Sequence, residues 1–246
     1  MIDKQARQTI NRLKALTPAR IGVGRSGTRP LTQALIKFWA DHAEAKDAVK
    51  SKLSEQFVEK FCRQYEALSI SSLAQNREEF VLFPPRGKRL NTETLDMLKR
   101  TIQNDNGTDV QIVVSDGLSA MAVEQNVPDL YPVLLDGFAA LGLTLARPVI
   151  VQYGRVAVAD QIGHIAGAKV AINLIGERPG LSCATGLSAY ITYGPNPATT
   201  ISSDRTVVSN IHPRGTPAVE AGAFIVKVVD RILKNKVSGV RLQALG

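Results

Sequence analysis

The 246-residue chain predicts an α/β fold, a Rossmann-like open and mostly parallel sheet carrying an N-terminal helical extension. Three observations predict it. The apolar run Val110 to Val114 stops abruptly at Ser115, Asp116 and Gly117 before an alanine-rich helical pattern, as a buried parallel strand does when it hands over to a crossover helix. From residue 109 onward strand-like and helix-like segments alternate, the pattern of βαβ units. The charge is also uneven. Residues 1–105 carry 19 basic and 12 acidic side chains and residues 106–246 carry 11 and 10, which separates a basic helical N-terminal region and partner-facing arm (1–105) from a Rossmann-like domain (106–246).

Taken in order, residues 3 to 16 form a short polar helix that ends before Thr17 and Pro18, because a residue preceding proline is biased away from helix. In ARIGVGRSGTRPLT the glycines at 22, 24 and 27 match G-x-G-x-x-G. The preceding apolar run is short, however, and Pro30 interrupts the stretch, so the context of a dinucleotide site is missing. A flexible arm whose Arg20, Arg25 and Arg29 reach a partner or an anionic group fits better. Thr32 is expected to cap a long helix with a buried stripe through Leu35, Phe38, Trp39, His42, Ala45 and Val49, continuing through Phe57, Phe61 and Tyr65. Residues 69–76 break the periodicity, residues 80–90 read as a loop with a basic face, and a helix over 92–103 closes in an NDNG turn at 104–107.

After the strand at 109–114 the pattern predicts a helix to about Glu124, a link over 127–131 and a second helix over 132–141. A strand over 148–153, a short strand in RVAV with a helix from near Asp160, and a buried strand over 169–175 follow. The stretch 184–200 reads as less regular, 207–210 as strand, and 217–236 as a helix opened by Pro217.

Several chemistries are poorly supported. Cys62 and Cys183 are read as separate reduced thiols of a cytoplasmic chain, and neither a signal core nor an apolar run of membrane-spanning length is present. Low aromatic content provides few stacking platforms for nucleic acid. His42, His164 and His212 lie at no metal-ligand spacing, and no nucleophile elbow occurs. Asp116 is expected to cap the following helix, with Ser119 in its first turn. Small or polar residues end the strands at Ser115 to Gly117, Gly154 to Arg155, Gly176 to Gly180 and Ser209 to Asn210. They could line one crevice for a large polar ligand, with Glu177 alternatively paired to Arg178 on the surface and Asp204 to Arg205. A chain poor in catalytic groups but rich in glycine-lined strand ends is suited to binding a cofactor.

The segments TPARIGVGRSGTRP (17–30), DHAEAKDAV (41–49), DVQIVVSDGLSA (109–120), RVAVADQIG (155–163), IGERPGLS (175–182) and DRTVVSNIHPRGTP (204–217) resemble the small subunit of ethanolamine ammonia-lyase across nearly the whole chain. That resemblance implies a subunit of a lyase dependent on adenosylcobalamin, which converts ethanolamine to acetaldehyde and ammonia. It further implies a barrel-shaped large subunit that holds the substrate, a heterododecamer with equal numbers of the two subunits, and residence in a bacterial microcompartment. Val156, Glu177 and Val207 fall at cofactor-contacting positions of the family, and Val207 stands where many members have cysteine. The D-x-H-x-x-G pattern of chains that replace the nucleotide base with histidine is absent, so the cofactor is expected base-on. The competing readings are a stand-alone nucleotide-dependent Rossmann-like enzyme and a non-catalytic scaffold subunit.

Overall fold

The computed structural model describes residues 4–17, 19–102 and 107–245; the turn expected at 104–106 lies outside them. Helix α1 (Lys4–Ala15) precedes a minimal hairpin, β1 (Arg25–Ser26) and β2 (Arg29–Pro30), and then α2 (Thr32–Lys50) and α3 (Glu55–Tyr65). Strand β3 (Leu68–Ser71), α4 (Arg77–Leu82), a 3-10 turn at Arg86–Lys88 and α5 (Thr92–Ile102) lead to β4 (Thr108–Ser115). Next come α6 (Ala120–Ala140), β5 (Val149–Gln152), α7 (Val158–Ile165), β6 (Ala168–Gly176) and β7 (Leu187–Tyr193). A 3-10 turn at Ser202–Asp204, β8 (Arg205–Ile211), α8 (Ala218–Asn235) and α9 (Val240–Gln243) complete the chain.

The α/β fold with an N-terminal helix is as expected, and the main sheet is mixed, parallel over four of its six strands and antiparallel in the rest. Its order is β3-β5-β4-β6-β7-β8. The pairs among β3, β5, β4 and β6 are parallel, whereas β7 and β8 turn back as an antiparallel meander on β6. Strand β7 accounts for the difference. Leu187, Ala189 and Ile191 are completely buried and alternate with Ser188, Tyr190 and Thr192, a period of two within the stretch read as irregular. Residues 1–105 also contribute β3, an edge strand of this sheet, so that region is not purely helical.

Alternation along the strands divides the core in two. Val110, Ile112, Val114, Ile150, Val170, Ile172 and Leu174 face the layer containing α6 and α8. Val113, Val149 and Val151 face the layer of α5 and α7. Helix α8 packs on β6, β7 and β8, whereas α7 packs chiefly on β6 and β4; on the α7 side Ser188 and Thr192 of β7 are still buried, and exposure is concentrated on β8, at Val207 and Ser209. Val207, on that side, is 44% exposed, while its neighbour Val208 is buried.

Helix α6 is continuous through Pro128 and Pro132, where a link was expected. Each proline forfeits a backbone bond, but Val127, Leu130, Tyr131, Leu134 and Phe138 recur at helical spacing and are buried. Burial of each such side chain is worth about 1.5–3 kcal/mol and outweighs the local penalty. The expected strand in RVAV is instead a turn into α7. Helix α2 departs most from its expected pattern: only Ala48 is buried, Trp39 is 59% exposed, and Leu31 rather than Thr32 precedes the first turn.

The carboxyl ends of β4 and β6 approach closely. A Cβ on Gly176 would lie 2.0 Å from the Ser119 carbonyl oxygen and 2.6 Å from that of Asp116, both rigid backbone atoms. Gly180, four residues on, has only ordinary contact at 3.7 Å. Gly176→Ala is expected to lower stability by about 3 kcal/mol or more, and Gly180→Ala to change it by less than about 0.5 kcal/mol. Urea-unfolding midpoints of the two variants check the contrast.

Candidate functional site

The strand ends do not form the open mouth expected at Ser115 to Gly117. Asp116 is 1% exposed, and its Oδ1 accepts the Gly154 amide at 3.0 Å. Its Oδ2 meets Arg77 Nη1 at 3.3 Å. The same Arg77 nitrogen donates to the Gly117 carbonyl at 2.8 Å, and Arg77 Nε donates to the Val49 carbonyl at 2.7 Å. Asp116 therefore ties β4, β5 and α4 together and does not cap α6. Ser119 is the cap, accepting the Ala122 amide at 3.2 Å and donating to the Ala184 carbonyl at 2.8 Å.

The three resemblance-derived residues converge on the α7-side face of the sheet, which is buried at β6, largely buried at β7 and exposed at Val207 of β8. Asn173 of β6, Tyr190 of β7 and Val207 of β8 are successive register partners, so their side chains form one row on the same face. Asn173 Nδ2 donates to the Val156 carbonyl at 3.2 Å and to that of Arg155 at 3.4 Å. The Tyr190 hydroxyl donates to Glu177 Oε1 at 3.0 Å. Val156 and Glu177 are thus anchored to the row at one end and the middle, and Val207 ends it. Burial and then the neighbouring Glu177 push the Tyr190 phenol up to about 12, keeping it a neutral donor.

This face offers a mixed donor set. Asn173 Oδ1 is buried without a hydrogen-bond partner, Glu177 provides acceptors, and Val207 provides an apolar surface. The next row holds a buried ion pair, Arg205 with Asp160, instead of the expected Asp204–Arg205 pair. Asp204 is held by Arg241 at 2.9 Å. Glu177 bonds to Tyr190, in place of a surface pair with Arg178. Farther along β8, Asn210 has φ of 63° and its Oδ1 lies 2.8 Å from His212 Nε2. Arg214 N donates to the other ring nitrogen at 3.2 Å, so both nitrogens of His212 are occupied. Among the described residues no group of three or more His, Cys, Asp or Glu could hold a metal ion, and no helix is long and apolar enough to cross a membrane.

Two of the concavities share α2 and the loop at Gly180 and Leu181 as walls. The larger, about 1290 Å³, is between the N-terminal arm, α2 and residues 180–184 and contains none of the three residues. Within it Arg20 is folded back, paired with Asp41 and stacked 5.3 Å from the Phe38 ring centre. The smaller, about 580 Å³, includes Arg155 and Arg178, the chain neighbours of Val156 and Glu177. Sequence reasoning missed Asn173, Tyr190 and Arg77. The period-two pattern of β7 carried the signal for Tyr190, whereas Arg77 becomes legible only when α4 is folded against the β4 end.

The described residues thus form a mixed α/β sheet with polar strand ends and an exposed patch at Val207 and Ser209 of β8. The chain belongs to the ethanolamine ammonia-lyase light chain family, whose model matches residues 7–243. Its role is that of the small subunit of the adenosylcobalamin-dependent lyase.

Burial pushes the Asp116 carboxyl from the usual 3.8 up to about 6, against the opposing pull of Arg77 and backbone amides. A carboxyl raised in the folded state contributes stability that is lost as pH rises through its folded value. Arg77→Met leaves that carboxylate buried and alone, and is expected to cost about 3–5 kcal/mol near neutral pH. The deficit should shrink toward about pH 5, where the carboxyl is protonated. Urea midpoints of wild type and variant at the two pH values test this, and a pH-independent difference would count against a charged Asp116.

Proposed function

We propose that the Asn173–Tyr190–Val207 face is where this subunit holds adenosylcobalamin, with Val156, Glu177 and Val207 in contact with it. The observation carrying the reading is that one cross-strand row joins three residues widely separated in sequence. The donor set suits the group. A corrin presents peripheral amides and methyls, which the Glu177 carboxylate and the exposed Val207 side chain can meet, while the fully buried Asn173 holds the Val156 loop from beneath. Valine at 207 keeps apolar contact and has no thiol.

Adenosylcobalamin, when bound, supplies radical chemistry through homolysis of its cobalt–carbon bond. The chain's own residues position it. Asn173 fixes the loop bearing Val156, and Tyr190 fixes the Glu177 rotamer, so neither contact has to be ordered on binding. The cofactor would keep its own lower base: His212 has both ring nitrogens occupied, His164 is exposed at the end of α7 and His42 lies on α2, so none of the three lies on the row.

A barrel-shaped large subunit closes the other side and holds ethanolamine. In this reading the two chains assemble as a heterododecamer with six copies of each, in the cytoplasm and within a microcompartment. The exposed arm residues Arg25 and Arg29 and the exposed apolar face of α2 are the surfaces offered to the partner. A stand-alone nucleotide enzyme would need turnover by the single chain.

Co-purification with the large subunit followed by a cobalamin absorption spectrum tests the reading; a base-off spectrum would overturn the base-on part. Glu177→Gln and Tyr190→Phe are each expected to raise the apparent constant for adenosylcobalamin by about tenfold, the effect of one lost charge-assisted hydrogen bond. Assembly, followed by sedimentation, should be unchanged. Unaltered constants in both variants would remove Glu177 from the contact set.

A further inference from the structure

The 580 Å³ cavity has an electrostatic character that the cofactor face does not require. Arg155, Arg178, Lys46 and His42 line it, and no acidic residue does. Arg155 is built into its wall. Its guanidinium carbon lies 4.2 Å from the Phe80 ring centre, Nη2 donates to the Phe80 carbonyl at 3.0 Å, and its backbone amide donates to the Gly87 carbonyl at 2.7 Å. Gly87 permits this approach, since a Cβ there would lie 2.7 Å from Arg155 Cγ. The Arg155 Nε is buried without a partner. Burial, Arg77 and Arg178 together hold Arg155 below the usual guanidinium range. The nearest carboxylate influence, Asp116, is already engaged by Arg77 and the Gly154 amide. Arg178 and Lys46 are exposed and form no ion pair among the described residues. The remaining wall is largely apolar, with Val49, Val81, Leu118 and Leu181.

Cations without counterions beside apolar walls match an anion attached to an organic body. We propose that this cavity binds a phosphate ester, its phosphate held by Arg155, Arg178 and Lys46 and its organic part against the apolar wall. Binding of a separate ester is independent of the cofactor reading, whereas binding of the cofactor's phosphodiester rests on it, since the cavity adjoins Val156 and Glu177 through their chain neighbours. The phosphate can come from a separate ester or from the phosphodiester of a cobalamin nucleotide tail.

Calorimetric titration of the full-length chain with phenyl phosphate tests the site directly. Saturable binding is expected, weakened about tenfold by Arg178→Gln or by Lys46→Gln and unchanged by Lys60→Gln on the exposed side of α3. Both tested positions are exposed, so the substitutions leave the core untouched. Absence of saturation, or equal binding by all variants, overturns the proposal. In the complex with the large subunit, Arg178→Gln distinguishes the sources. A raised constant for adenosylcobalamin but not for adenosylcobinamide, which lacks the nucleotide tail, identifies the cofactor's phosphodiester. Simultaneous binding of cofactor and phenyl phosphate, with only the latter weakened, identifies a separate ester. If the variant instead impairs assembly and the wild-type complex excludes phenyl phosphate, the cations serve large-subunit carboxylates and the proposal fails. Failure of adenosylcobalamin to bind the complex would overturn the cofactor reading alone, because phenyl phosphate binding by the chain is measured without it.

Discussion

The buried carboxylate of Asp116 is the contact on which the site end of the molecule depends. It draws the Gly154 amide to the end of β4 and holds Arg77, whose other bonds reach the end of α2 and the Gly117 carbonyl. Segments far apart in sequence are thereby fixed around one charge. A buried pair of this kind contributes little net stability relative to apolar packing, yet loss of one member is costly. Its importance here is geometric: residues 153–156 leave β5 in a fixed direction, and Asn173 can then capture the Val156 carbonyl.

The sheet divides labour along its width. Parallel strands β5, β4 and β6 are covered on both sides, as their nearly continuous apolar sequences require, while the edge strand β3 buries Ile70 on one side and exposes Ser69 and Ser71 on the other. The antiparallel strands β7 and β8 are covered by α8 on one side and present polar and small side chains on the other. Chemistry-bearing groups are placed on that second side by register alone. This arrangement needs no nucleophile or general base in the chain, consistent with a light chain whose share of a lyase is to hold and orient.

Much of this was legible in the residues. The apolar runs of β4, β5 and β6 identified the central strands because a strand buried on both faces has few sequences open to it. The resemblance motifs picked out Val156, Glu177 and Val207 without showing that they are neighbours, a fact that resides in the β6–β7–β8 register. Three features escaped for physical reasons. Strand β7 alternates apolar with small and hydroxylated residues, so it resembles a loop by composition even though its period is that of a strand. Helix α6 survives two prolines because tertiary burial outweighs a local cost. Trp39 follows the spacing of a buried stripe yet lies outside, since periodicity identifies the apolar face of a helix without identifying what covers it.

On its α7 side the sheet is exposed at β8, where Val207 and Ser209 face outward. Any molecule that settles there and binds only the folded form draws the folding equilibrium toward it, by RT ln(1 + [L]/Kd). A ligand that meets Val207 and Ser209 would therefore stabilise the light chain as well as occupy it, and scarcity of that ligand would show as a larger unfolded fraction exposed to proteolysis.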